Sequence, residues 1–154
     1  MLMIDEIHNI ISGSVSRQRQ FLNVLKYLSN DLQIPLVTFG TQDALRALQT
    51  DPHLANRFTP VSLPRWQMSR EFLMLLASFE RALPLRQPSH LIEARLAQKL
   101  LVQSEGILGE LAALLTTAAV HAVKTEIEQI NDEVLGTIHW VPPSERRRQA
   151  ERLV

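Results

Sequence analysis

The chain has 154 residues, which is enough for about one domain with a small addition, and 45% of them are hydrophobic, so it can bury a core. Its 16 basic residues balance its 16 acidic ones, which excludes a histone-like polycation and leaves only local patches for nucleic-acid contact. The lack of cysteine excludes disulfides, thiol catalysis and thiolate zinc sites, and is compatible with the cytoplasmic location that we expect. The apolar runs are shorter than the roughly 20 residues that span a bilayer, so we expect no membrane contact.

Short apolar runs alternate with helical patterns in the first part of the chain. Continuous runs of four to six apolar residues favour strands buried on both faces, whereas apolar residues three or four positions apart favour helices. The alternation indicates an α/β fold with a parallel sheet. The predicted elements are strand 1–4, helix 17–32, strand 34–39, helix 42–49 capped by Thr41, a short helix that begins at Asp51-Pro52 and ends near Arg57, and a third strand or extended segment over 59–64.

The pattern becomes entirely helical after Trp66. Prolines at 84 and 88 bound a linker and mark the best internal boundary. The sequence therefore predicts an α/β domain over residues 1–84, a helical subdomain over 85–138 and a charged tail rich in proline and arginine over 139–154. The predicted helices are one capped by Ser69 that runs through Phe79, then 90–102, 107–123 and 131–138.

Two adjacent carboxylates, Asp5 and Glu6, follow the first predicted strand directly. A buried parallel strand holds its carboxyl end at the rim of the sheet, where ligands bind in α/β folds. In the Walker B arrangement of P-loop ATPases, the first carboxylate helps to hold Mg²⁺ and the second polarises the attacking water. The alternative is that the two carboxylates simply end the strand in solvent.

The residues after this doublet support the first reading. The string from Leu2 to Ile10 resembles the Walker B segment of AAA+ ATPases, and most closely that of the TniB family of transposition ATPases, found on bacterial mobile elements. The resemblance continues over most of the chain. The segments that carry it are Phe39-Gly40-Thr41, Leu54-Ala55-Asn56-Arg57-Phe58, Leu63-Pro64-Arg65-Trp66, the run 72–83, and Ser104-Glu105-Gly106-Ile107-Leu108-Gly109-Glu110-Leu111.

The resemblance implies a role for each of four residues. Asp5 would be the carboxylate on the magnesium side and Glu6 the general base. Thr41 would be the sensor that orients the lytic water or the γ-phosphate, a role compatible with helix capping. Arg57 would act as an arginine finger on the nucleotide of a neighbouring subunit; its alternative is an ordinary surface arginine at a helix end. ATP and Mg²⁺ are the cofactors implied.

Two departures from the family pattern limit what is expected. A P-loop ATPase cradles the phosphates with a loop that ends in Gly-Lys-Ser/Thr, and none of the five glycines here is followed by lysine. The sequence therefore looks like a truncated AAA+ P-loop core, a partial parallel sheet with flanking helices, followed by a helical lid and expected to show little ATPase activity alone. Related lids also often place an arginine beside the Gly-x-x-Gly turn, where this chain has Glu110.

The partners follow from the same resemblance. An intact TniB-like protein binds ATP, assembles on DNA and assists a DDE-type transposase, so we expect DNA, a transposase, and self-association or a full-length homologue. Arg17 and Arg19 are candidate DNA contacts, with a solvated helix start as the alternative. The run Arg146-Arg147-Arg148 contacts either phosphates or a partner protein, or is only a charged tail.

A second function class also fits the sequence. The residual sheet and the helices would then form a non-enzymatic interaction module that binds a transposase or a full-length ATPase. The two readings differ in whether a phosphate-binding loop is available to complete the site of Asp5 and Glu6.

Overall fold

The computed structural model describes residues 1–10, 13–49 and 52–153. These residues are mostly helical, and they form two compact units, which we name the sheet unit (Met1–Ser62) and the helical unit (Leu63–Val154). The elements are β1 (Leu2–Ile4), a 3-10 helix (Ile7–Ile10), α1 (Val15–Asn30), β2 (Leu36–Thr38), α2 (Gln42–Gln49), α3 (Pro52–Ala55), α4 (Arg70–Ala82), α5 (Ala94–Ser104), α6 (Leu108–Lys124), α7 (Asp132–Thr137) and α8 (Pro143–Glu151).

The sheet unit contains the two parallel strands expected from the sequence, β1 and β2, joined through α1. Its buried cluster consists of Ile7, Leu25, Ala44 and Leu48, with Ile4 and Leu36 packed against it from the sheet. The expectation that β1 is buried on both faces is wrong, since Met1 is 81% exposed and Met3 is 59% exposed. Alternate residues of a strand point to opposite faces, and in the described residues only one face of the sheet is covered.

Of the two alternatives for residues 59–64, a third strand or an extended segment, the strand does not form. Pro60 and Pro64 have no N–H group to donate to a ladder, and Val61 and Leu63 are 83% and 89% exposed. The chain instead reaches the helical unit, where the backbone N–H of Trp66 donates to the carbonyl of Gly106 over 2.8 Å. The segment 63–68, which we name the leading segment, therefore belongs to the helical unit and not to the sheet.

The helical unit has the larger core. It is built around α6, whose inward face packs against α4, α5 and α7. Trp66 and Trp140 pack against this core. The buried residues are Phe72, Leu76, Leu91, Leu96, Ala97, Leu100, Leu111, Leu114, Leu115, Ala118, Ala119, Ala122, Ile130, Val134 and Leu135.

Local capping explains where several helices start. The Ser69 hydroxyl accepts the N–H of Phe72 over 3.3 Å, and the Asn131 side chain accepts that of Val134 over 2.9 Å. Both residues stand one position before their helices, where a short polar side chain replaces the missing intrahelical acceptor. The sequence-based bounds for α2, α6 and α7 agree with the structure to within one residue, whereas α4 starts after Ser69 as predicted but ends three residues later than Phe79.

A single carboxylate organises the loop between α4 and α5. Glu80 accepts the backbone N–H groups of Ser89, His90 and Leu91 at 2.8, 2.7 and 2.9 Å. The buried Ser89 hydroxyl accepts the N–H of Ile130 over 2.8 Å, so the same loop also satisfies the backbone before α7. The proline-bounded linker of the sequence analysis is thus held by α4 and by the segment before α7, and the compact units divide at Ser62/Leu63.

The carboxyl-terminal residues that the sequence analysis described as a charged tail form helix α8. Pro143 is its first residue, a position where proline has no hydrogen bond to lose and its fixed φ suits a helix. Within the described residues, no single helix has the length and hydropathy of a membrane span; α5 and α6 reach them only together, across a bend of 117°.

Replacing Glu80 tests its structural role. Glu80→Gln removes the negative charge. It also replaces one carboxylate oxygen by an NH₂ group, which cannot accept, so at least one of the three hydrogen bonds from the backbone N–H groups is lost. We expect a loss of about 1.5–3 kcal/mol in the unfolding free energy of the helical unit, measured by denaturant titration. Glu151→Gln, on an exposed helix without buried residues, is the matched control. Equal midpoints for the two variants would contradict this role.

The difference between the two cores predicts an order of local opening. Amides of α4, α5 and α6 should exchange hydrogen most slowly, and those of β1 and β2 much faster, because among the described residues four are buried in the cluster beside the sheet and fifteen in the core of the helical unit. Hydrogen–deuterium exchange with mass spectrometry measures both. Uniform protection, or one sharp two-state transition of a monomer, would contradict this order.

Candidate functional site

The carboxyl ends of β1 and β2 lie at one edge of the sheet. The strands pair in parallel with Leu2 opposite Leu36 and Ile4 opposite Thr38. The pairing continues past the strands, because the N–H of Phe39 donates to the carbonyl of Ile4 over 2.8 Å. The residues that follow Ile4 and Thr38 in the chain therefore emerge together, and these include Asp5, Glu6 and Thr41.

Gly40 permits this close approach. A Cβ atom at Gly40 would lie 2.8 Å from the Ala44 Cβ and 3.0 Å from the Ile7 Cγ2, both inside normal contact distance. The N–H of Ile7 also donates to the carbonyl of Phe39 over 3.0 Å. The turn after β1 is thus packed directly against the turn after β2, and only glycine fits between them.

Asp5 and Glu6 are both exposed at this edge. Asp5 Oδ1 accepts the backbone N–H of Glu6 over 2.7 Å, which orients the aspartate carboxylate. Glu6 has a positive φ of 54°, a conformation that side-chain-bearing residues rarely adopt. The sharp turn at Glu6 directs the chain away from the strand and into the 3-10 helix.

Two further residues contact the Glu6 carboxylate, and the sequence analysis assigned neither of them to the site. The Asn9 side-chain amide donates to Glu6 Oε2 over 3.3 Å, and His8 Nε2 lies 3.7 Å from the same oxygen. The other ring nitrogen of His8, Nδ1, is buried without a hydrogen-bond partner among the described residues. The only signal in the sequence is their position two and three residues after Glu6, at the spacing of one helical turn.

Thr41 and Arg57 are exposed. Thr41 stands immediately before α2, and its carbonyl accepts the N–H of Ala44 over 3.0 Å. Arg57 follows α3 by two residues and precedes Phe58, which packs against the buried cluster of the sheet unit. The adjacent Phe58 anchors the chain here.

The two candidate DNA contacts lie in the first turns of α1. Arg17 and Arg19 are exposed, and the backbone N–H of Arg17 donates to the capping hydroxyl of Ser14 over 3.5 Å. Successive helical residues are about 100° apart around the axis, so residues two apart point in nearly opposite directions. The helix therefore separates the two arginine side chains.

Glu110 in the first turn of α6 has an arginine partner from elsewhere in the chain. Arg146 of α8 donates to Glu110 Oε2, and its guanidinium lies 5.8 Å from the centre of the Trp140 ring. Glu110, which the sequence analysis noted as a departure from the family pattern, thus binds an arginine of α8. Within the run of three arginines, the Arg146 side chain is therefore held by contacts inside the chain.

The donor set at the sheet edge suits part of a magnesium–nucleotide site. Carboxylates are the protein ligands that Mg²⁺ prefers, commonly one or two of them together with phosphate oxygens and water. Within the described residues, no three His, Asp or Glu side chains form a self-sufficient metal cluster. The sequence also has no Gly-Lys-Ser/Thr loop to hold phosphates. The residues present therefore fit the metal and the water of such a site but not its phosphate cradle.

Comparison with known families finds a match in the first part of the chain. Residues 1–68 match the family described as Bacterial TniB protein, a match that covers the entire sheet unit and the leading segment. No curated protein matches the sequence. Over its first 68 residues the chain is therefore similar to the TniB family.

Proposed function

We propose that this protein is an accessory regulator of DNA transposition of the AAA+ ATPase type, built as a partial P-loop core followed by a helical lid. The observation that supports the proposal is that Asp5, Glu6 and Thr41 follow two strands that pair in parallel and end at one edge of the sheet, within the segment that matches the TniB family. Ligands of α/β proteins bind at this edge of the sheet.

The roles divide by chemistry. Asp5, whose carboxylate is oriented by the Glu6 amide, is the Mg²⁺ ligand, and Glu6 is the base that orients and deprotonates the attacking water. Thr41 offers a hydroxyl to the same water or to the terminal phosphate. The side chains of His8 and Asn9 contact one oxygen of the Glu6 carboxylate, and these contacts orient the carboxylate before any nucleotide binds. Bound ATP supplies the phosphoryl group to be transferred.

The phosphates must be held by residues outside this sequence. Phosphoryl transfer depends almost entirely on positioning and electrostatic stabilisation, and the glycine-rich loop and its lysine supply most of both. We therefore propose that hydrolysis by this polypeptide alone is very weak. A full-length homologue, or another segment with a Gly-Lys-Ser/Thr loop, completes the site.

Arg57 acts between subunits in this scheme. It is exposed on a short connection next to an anchored phenylalanine, a position from which a guanidinium can reach a neighbouring molecule. An arginine placed on the transferring phosphoryl group neutralises charge that develops in the transition state. Self-association or association with a homologue is thus part of the proposal, as are a DDE-type transposase and DNA, with Arg17 or Arg19 as the contact, in the cytoplasm.

One observation favours the alternative of a non-enzymatic interaction module. The helical unit has its own core of fifteen buried residues, and most of it lies outside the family match. A platform of this kind can bind a transposase or a full-length ATPase without handling nucleotide.

Turnover by the chain alone tests the missing phosphate cradle. We expect the purified protein to hydrolyse Mg–ATP no faster than its Glu6→Gln variant, because both lack the loop that positions the phosphates. Phosphate release measured with Glu151→Gln as the surface control gives the comparison. Clear turnover by the unaltered chain that Glu6→Gln abolishes would show that this polypeptide holds the phosphates itself, contrary to the proposal.

A mixed assembly tests the role of Arg57. The chain is combined with a TniB-family ATPase that contains the Gly-Lys-Ser/Thr loop and whose own arginine finger is mutated. We expect ATP-dependent cross-linking and recovered turnover, with Arg57→Ala lowering the recovered rate by at least about tenfold, since such fingers contribute about 10³–10⁵ in kcat. Arg70→Ala, at an exposed arginine of α4, is the matched control.

The same mixture separates the two function classes. Cross-linking that is independent of ATP, with no effect of Arg57→Ala or Glu6→Gln on turnover, supports the non-enzymatic module. The absence of association with and without ATP contradicts both classes.

A further inference from the structure

One side chain in the turn between α5 and α6, that of Glu105, binds two separate parts of the chain. Glu105 Oε1 accepts the backbone N–H of Ser144 at the start of α8 over 2.9 Å. Glu105 Oε2 accepts a guanidinium N–H of Arg65, in the leading segment, over 3.5 Å. The Glu105 side chain is 20% exposed, and its backbone is left-handed with φ of 51°. One carboxylate therefore connects α8 with the leading segment.

Helix α8 depends on this turn for its position. None of its residues is buried. Besides the bond to Glu105, its anchors are Arg146, which pairs with Glu110, and the preceding Trp140, whose indole N–H donates to the carbonyl of Gln103 over 2.9 Å. All three acceptors lie between the last turn of α5 and the first turn of α6. A helix that buries nothing opens at little cost once these polar contacts are lost.

The leading segment is bound to the same turn on the backbone. The N–H of Trp66 donates to the carbonyl of Gly106 over 2.8 Å. Gly106 has a φ of 68°, and a Cβ atom there would lie 2.2 Å from the Trp66 carbonyl oxygen. A small displacement of this segment therefore moves the turn directly, because no side chain separates the two backbones.

We propose that Glu105 couples the docking of α8 to the position of the leading segment, so that release of either one loosens the other. We call this arrangement a latch within the helical unit. When α8 is docked, the Ser144 N–H orients the Glu105 side chain so that it can pair with Arg65. When Arg65 is paired, it keeps the Glu105 carboxylate oriented toward α8. Opening the latch frees Arg146 and uncovers Glu110 and Trp140. The segment that controls it lies at the end of the TniB-family match.

The electrostatics of Glu105 agree with this arrangement. Hydrogen bonds from Ser144 are the main reason that the pKa of the Glu105 carboxyl lies below its ordinary value, with a smaller effect of the nearby Arg65 charge. The carboxylate is thus held in its charged form by both parts of the chain that it connects. Replacement by the neutral isostere glutamine weakens both contacts at once and keeps the shape of the side chain.

Coupling of this kind must be reciprocal, and hydrogen exchange measures it from both sides. We expect Arg65→Ala to increase amide exchange over residues 143–151 by about two- to fivefold, the range expected for an exposed ion pair. Arg146→Ala, which releases α8, should increase exchange of the Trp66 amide by a similar factor. Arg70→Ala, at an exposed arginine of α4, is the matched control and should change neither segment.

The Glu105→Gln variant shows whether the coupling runs through this side chain. We expect faster exchange of both segments in Glu105→Gln, and no further increase when Arg65→Ala is added. If Arg65→Ala leaves α8 unchanged while Arg146→Ala loosens α8, or if Arg65→Ala has its full effect without Glu105, the proposal is wrong. Equal acceleration across α4, α5 and α6 would likewise overturn it, since that indicates general destabilisation.

Discussion

Parallel pairing of two three-residue strands is the constraint on which the candidate site depends. The pairing is short, but it continues beyond the strands through the bond from the Phe39 amide to the Ile4 carbonyl. Because of this bond, the chain segments that leave β1 and β2 stay together over the next residues. Without the parallel register, Asp5 and Thr41 would not follow strands that end at the same edge of the sheet. They are 36 positions apart in the chain, so no local interaction brings them to the same edge.

The parts of the fold that the sequence predicted are those fixed by local interactions. Ser69 and Asn131 are one-residue caps, and each determines the start of a helix without reference to the rest of the chain. The third strand was predicted from an apolar, proline-bounded segment at 59–64, but a strand needs a partner, and pairing is not encoded locally. Helix α8 was missed because Pro142-Pro143 reads as a stop, although proline also suits a first helical turn.

The candidate site shows the same division. The adjacency of Asp5 and Glu6 is written in the sequence, and so is their place after an apolar run. The direction of the Glu6 side chain is not, because it depends on a positive φ and on contacts to His8 and Asn9. Such a backbone conformation is expensive for glutamate and persists only where surrounding contacts determine it. Here the packing of Gly40 against Ile7 fixes the path of the chain around the turn.

The family match and the compact units end at different residues, and the difference bears on how the helical unit is to be understood. The match runs to residue 68, whereas the division of the chain lies at Ser62/Leu63. The leading segment lies within the family match, yet its contacts are with the helical unit. These contacts are the backbone hydrogen bond from Trp66 to Gly106 and the pairing of Arg65 with Glu105. The fit between this segment and the turn at Gly106 is so close that a Cβ atom at position 106 would lie 2.2 Å from the Trp66 carbonyl oxygen. The last residues of the family match are therefore part of the packing of the helical unit, and the match does not end where the compact units divide.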